Sequence, residues 1–69
     1  MLSAGSAKIE WNSDKKQWHV EITMGSEVIK RWVKDRPHET ADDALRTLGV
    51  ETAKDEGYEL DPAHVTIAR

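Results

Sequence analysis

The sequence predicts an α+β fold: a two-layer sandwich of order β-β-β-α-β, in which an antiparallel three-stranded meander, one helix packed on a sheet face and a C-terminal strand form a single domain. Three observations predict it. Two early stretches alternate apolar and polar residues, a Gly-Ser pair marks a tight turn after them, and apolar residues then recur at steps of three and four before alternation returns.

At 69 residues the chain has room for one core only. Residues 1 to 6 are small and read as a flexible lead-in, leaving 7 to 69 as the domain. In the first strand, Ala7-Lys8-Ile9-Glu10-Trp11 has period two, and Trp18-His19-Val20-Glu21-Ile22-Thr23 repeats the pattern across the polar turn Asn12 to Gln17. Pairing residue numbers that sum to 29 sets Trp11 opposite Trp18, Ile9 opposite Val20 and Ala7 opposite Ile22, so every apolar residue shares one face. The same register opposes Lys8 to Glu21 and Glu10 to His19, attractive pairs worth about 0.2 to 1 kcal/mol each. A slip by one residue would destroy both patterns.

Met24-Gly25-Ser26-Glu27 fits a type II′ hairpin, because Gly at the first central position accepts positive φ. The third strand then runs from Glu27 to about Lys34. Numbers summing to 51 place Ile22 against Ile29, Val20 against Arg31 and Trp18 against Val33 on the core side, with Val28, Lys30, Trp32 and Lys34 on the other. Here Arg31 must snorkel over an edge and Trp32 is left on the open face. A bulged register would bury Val28 and Trp32 and expose Arg31, at the cost of turning Lys30 inward; the first register is preferred.

Pro37 stops the strand, and Thr40-Ala41-Asp42-Asp43 reads as a helix start with Thr40 as N-cap and carboxylates in the first turn. Ala41, Ala44, Leu45, Leu48, Gly49, Thr52 and Ala53 form a stripe of mostly small residues, and Gly57 is the natural stop. Tyr58 to Pro62 turns the chain. A fourth strand, Ala63 to Arg69, points Val65 and Ile67 inward and is expected parallel to the first and third, with either as its neighbour. With roughly 60% of the unfolded surface buried at this size, stability should be modest, and the chain is expected as a monomer or a weak homodimer paired through a strand edge.

Composition narrows the function. The chain is 38% hydrophobic and 33% charged, which suits a folded protein better than a disordered one. It has no apolar run of membrane-spanning length, so no membrane partner is expected. Met1 to Ala7 lack the basic and apolar regions of a secretory signal, and the expectation is a cytoplasmic protein of bacterial or phage type. Having no cysteine, the chain can make no disulfide, thiolate zinc site or thiol nucleophile. No phosphate loop, Gly-x-Ser-x-Gly or His-Glu-x-x-His motif occurs, so neither an enzyme nor a bound cofactor is expected. His19 and His64, with Glu10 or Glu21 as a third ligand, are the best metal set available, but solvated polar-face residues explain them better and no metal is expected. His38 falls in the loop before the helix, with a capping role at most.

The net charge of -3 is uneven. Residues 1 to 38 hold seven basic against five acidic residues, and 39 to 69 hold three against eight. Such a balance weakens the pull of nucleic acid on the whole molecule while allowing a local basic patch. The acidic helix face reads as solvated. Trp11 and Trp18 read as core, whereas Trp32 is flanked by Lys30, Arg31, Lys34 and Arg36 and shares its face with His19. Trp32, Lys30, Lys34, Arg36, His19 and Arg31 are therefore the candidate binding residues. Docking of a protein partner through the open face or a sheet edge is the leading expectation, and nucleic-acid binding with Trp32 stacked on a base is the alternative.

Overall fold

The computed structural model describes residues 2–69. The chain is an α+β protein in which a mixed sheet carries a helix on one side. Strands β1 (Leu2–Ser3), β2 (Ser6–Asn12), β3 (Gln17–Met24) and β4 (Glu27–Val33) precede helix α1 (Asp42–Asp55), and β5 (Tyr58–Glu59), a 3-10 turn (Pro62–His64) and β6 (Val65–Ala68) follow it. The main sheet has the order β4-β3-β2-β6. Both antiparallel registers are those the alternation predicts, with Trp11 opposite Trp18, Ile9 opposite Val20, Ile22 opposite Ile29 and Trp18 opposite Val33. The C-terminal strand resolves its two options by pairing parallel with β2, Ala7 to Val65 and Ile9 to Ile67.

The turns explain the registers. Gly25 has φ 61°, and Lys16 is the only non-glycine with positive φ among the described residues, so the β3–β4 turn is type II′. In the β2–β3 turn the Lys15 amide donates to Asn12 Oδ1 at 2.9 Å, and Lys16 takes the left-handed position at φ 55°.

The core lies between sheet and helix. Ile9, Trp18, Val20 and Ile22 from β2 and β3 are fully buried against Leu45 and Ala53, with Ala7, Leu60 and Val65 around them. Gly49 sits inside the helix without ending it. A Cβ there would stand 3.3 Å from Ile9 Cδ1 and 3.5 Å from Val65 Cγ2, so glycine lets the helix axis approach the sheet. Gly57 stops the helix as expected, at φ 87° with its amide donating to the Lys54 carbonyl.

Several expectations are corrected. Thr40 is not the N-cap: that position is Ala41, without a side-chain cap, and Thr40 Oγ1 donates to the Pro37 carbonyl at 2.7 Å. The helix stripe is narrower than expected because Ala41 and Ala44 are exposed. Residues 2–5 do not behave as a lead-in. Leu2–Ser3 pairs in parallel with Tyr58–Glu59, Ala4 is buried, and the Gly5 amide donates to the Thr23 carbonyl; Met1 lies outside the described residues. Ala63 and His64 belong to the 3-10 turn, where Asp61 Oδ1 accepts from the Ala63 amide, and β6 begins only at Val65.

His38 also departs from its expected role. It stacks on Trp18 with centroids 6.1 Å apart and planes 11° from parallel, and it lies 5.1 Å from Trp11. Trp18 Nε1 donates to the Pro37 carbonyl at 2.9 Å, and Trp11 meets Trp18 edge-on at 5.2 Å. Arg69 closes this cluster by donating to the carbonyls of His38 and Thr40 and to Asp42 Oδ1. The loop between β4 and α1 is thereby tied to the core by one arginine and one indole.

Candidate functional site

Among the described residues the second face of the sheet has no helix. Strand alternation puts Lys8 and Glu10 of β2, His19 and Glu21 of β3, and Val28, Lys30 and Trp32 of β4 on it. Across the described residues, the exposed large apolar side chains are Val28 (48% exposed) and Trp32 (43%), and both belong to this face of β4. Exposure of Trp32 follows directly from the II′ turn. Had the hairpin carried a bulge there, Trp32 would have faced the helix.

Trp32 is held on both sides. His19 is its cross-strand partner, with ring centroids 4.6 Å apart and planes at 49°, and Lys15 Nζ stands 4.4 Å from the indole centroid. The β2–β3 turn delivers that lysine from the neighbouring hairpin. A cation over an exposed indole contributes about 0.5 to 1 kcal/mol, enough to orient the ring without burying it.

The structure divides the six candidate residues. His19, Lys30 and Trp32 share the open face, with Glu21 as the register partner of Lys30. Lys34 and Arg36 follow the strand as exposed loop residues at the end of the sheet that carries the Lys15–Lys16 turn, and neither forms an ion pair among the described residues. Arg31 is on the other face. As the register requires, it reaches past the sheet edge, where Nη2 meets Glu56 Oε1 at 2.6 Å and Nη1 donates to the Lys30 carbonyl. Its charge is thus committed to the helix C-terminus and adds nothing to the open face.

The register predicted from the sequence places Val28 on this face with Trp32, four residues on, but Val28 is not among the candidate binding residues read from it. Sequence reasoning misses Lys15, because its approach to Trp32 depends on the twist of a turn. His64 lies in the 3-10 turn and not on the face with His19, and no three His, Asp or Glu side chains are placed to hold a metal ion among the described residues. A surface depression of about 420 Å³ near His64, lined by Ser3, Glu59 and Asp61, is formed by elements other than the open-face strands.

Charge on the face is balanced at its centre, where Lys8 meets Glu10 at 3.3 Å and Glu21 opposes Lys30. Positive charge gathers at one end, from Lys15, Lys16, Lys34 and Arg36 against Asp14 and Asp35. Among the described residues the outer side of β4 pairs with no strand, so an apolar pair, a basic end and an open edge lie together. No helix among the described residues is long and apolar enough to cross a membrane. No protein-family model matches the chain, and neither the curated proteins nor the solved structures give a match.

Proposed function

We propose that the protein is a non-enzymatic docking module of the cytoplasm that takes an extended segment of a partner protein at the free edge of β4. The observation that carries this is the placement of Val28 and Trp32, the exposed large apolar side chains, on one face of one edge strand. An unpaired edge offers main-chain donors and acceptors that bind a strand without any sequence motif, and apolar side chains beside it supply selectivity. The test is selection of extended peptides from a displayed random library, followed by mapping on the labelled protein. Selected peptides should shift the resonances of Val28, Lys30 and Trp32, and Trp32→Ala should weaken them by about tenfold or more, as for an aromatic anchor. A library that yields no binder, or binders indifferent to Trp32→Ala, contradicts the proposal.

A second function is favoured by one observation, the ammonium of Lys15 poised over Trp32 beside Lys30, Lys34 and Arg36. A base stacked on Trp32 with phosphates on these cations would make the face a nucleic-acid platform. Titration with mixed duplex and single-stranded DNA at low and moderate salt separates the two. Salt-sensitive shifts at Trp32, Lys30 and Lys34 that vanish in Lys30→Ala and Lys34→Ala replace protein docking with nucleic-acid binding, and silence leaves docking in place.

A further inference from the structure

We infer that the β4 edge receives a second copy of the same chain, added antiparallel about a two-fold axis through Lys30. This assignment rests on the docking role proposed for that edge and names its occupant. The hairpin geometry fixes which backbone groups are free. A two-residue turn closes on Met24 and Glu27 as a hydrogen-bonded pair, so Glu27, Ile29, Arg31 and Val33 direct their amides and carbonyls to β3, while Val28, Lys30 and Trp32 direct theirs outward. The Lys30 carbonyl already accepts from its own chain's Arg31 Nη1, and a second copy must share or displace that bond.

An axis through Lys30 makes the outward groups complementary. Val28 then opposes the partner's Trp32, Lys30 opposes the partner's Lys30, and Trp32 opposes the partner's Val28, three pairs that each exchange two hydrogen bonds. The exposed apolar side chains thus cover one another twice, as an isologous interface requires. Moving the axis to Ile29 would set Trp32 against the turn residue Ser26 and forfeit one of those pairs.

Charge supports the same axis. An edge lysine normally discourages strand addition, and two facing lysines repel. Each Lys30 here has Glu21 as its cross-strand neighbour, so the row across the joined sheet runs acid, base, base, acid. On the helix side Glu27, which forms no ion pair among the described residues, comes diagonal to the partner's Arg31, whose guanidinium keeps its bond to Glu56. The inner side of β4 is also undercovered. None of its seven residues is buried, because α1 packs over β2, β3 and β6, and the axis through Lys30 sets the partner's Arg31 beside Ile29 and the partner's Glu27 beside Val33. The opposite edge, β6, offers only four residues.

Sedimentation from micromolar to millimolar protein, combined with single-cysteine crosslinking, tests the assignment. The chain has no cysteine of its own, so Lys30→Cys is a unique probe on an exposed site. Facing residues in a hydrogen-bonded antiparallel pair have Cα atoms about 5.5 Å apart, inside disulfide range. The expected result is a reversible monomer–dimer equilibrium, with Lys30→Cys forming a linked dimer at least about tenfold faster than Thr66→Cys on β6 under the same mild oxidant. A wild-type protein that stays monomeric throughout, or equal crosslinking at the two edges, overturns it. A monomer that still binds selected peptides through Val28 and Trp32 overturns the second copy alone and leaves the docking role standing; a monomer that binds no peptide overturns both.

Discussion

Gly49 of α1 lies so close to Ile9 of β2 that a Cβ on it would stand 3.3 Å from Ile9 Cδ1. Ile9 is fully buried, so its side chain can give way only by a small displacement within the core. The glycine costs about 1 kcal/mol of helix propensity, and it permits the contact on which the two-layer core depends.

Replacing Gly49 tests that contact. Gly49→Ala should stay within about 1 kcal/mol of the wild type, since the propensity gained offsets a small displacement of Ile9. Gly49→Leu should lose about 2 kcal/mol or more in urea unfolding, because overpacking forces helix and sheet apart. Wild-type stability for the leucine variant would mean that helix and sheet are not in close contact.

Trp18 and Trp32 test the β3–β4 register. Trp18 is fully buried and donates to Pro37, so Trp18→Ala should cost about 3 to 5 kcal/mol and leave little folded protein. Trp32→Ala, on the open face, should cost about 1 kcal/mol or less, the value of its contacts with Lys15 and His19. Thermal unfolding of both variants decides it, and a large loss for Trp32→Ala would restore the bulged register.

Much of this fold is written in pairwise sums of residue numbers. Alternation in β2 and β3 specifies one register because a slip scatters apolar residues across both faces, and in β4, which has apolar residues on both faces, the Gly25-Ser26 turn decides it. The parts that could not be read depend on contacts distant in sequence or too short to show a period. Leu2–Ser3 pairs with Tyr58–Glu59 over two residues each, and Arg31 finds Glu56 twenty-five positions away. Thr40 looked like a cap from composition alone, yet its hydroxyl is occupied by Pro37. The same division holds at the site: Trp32, Lys30 and His19 follow from the register, whereas Lys15 and the withdrawal of Arg31 do not.

Arg69 should hold the loop before α1. Its guanidinium donates to the carbonyls of His38 and Thr40 and to Asp42, all at 2.7 Å or less, and it lies 5.7 Å from the Trp18 centroid. Because the group is partly exposed, Arg69→Ala should cost only about 1 kcal/mol. Amide exchange in residues 37–42 should quicken more than elsewhere, and uniform behaviour along the chain would contradict the tether.

Lys16 occupies a left-handed backbone position at φ 55° that costs an L-residue about 1 kcal/mol. Lys16→Gly should therefore raise stability by about 0.5 kcal/mol, after allowance for the greater freedom of glycine in the unfolded chain. Chemical unfolding measures this directly, and a loss of stability would mean that the turn adopts another conformation.

The most direct test of the docking edge is hydrogen exchange of the β4 amides, followed residue by residue in dilute protein and again with the edge occupied by a selected peptide or by concentrated protein. In dilute protein Val28, Lys30 and Trp32 should exchange fast while Ile29, Arg31 and Val33 exchange slowly, and occupation should slow the first three alone. Slow exchange at Val28, Lys30 and Trp32 in dilute protein, or no change when a partner binds, would contradict the assignment of this edge as the docking site.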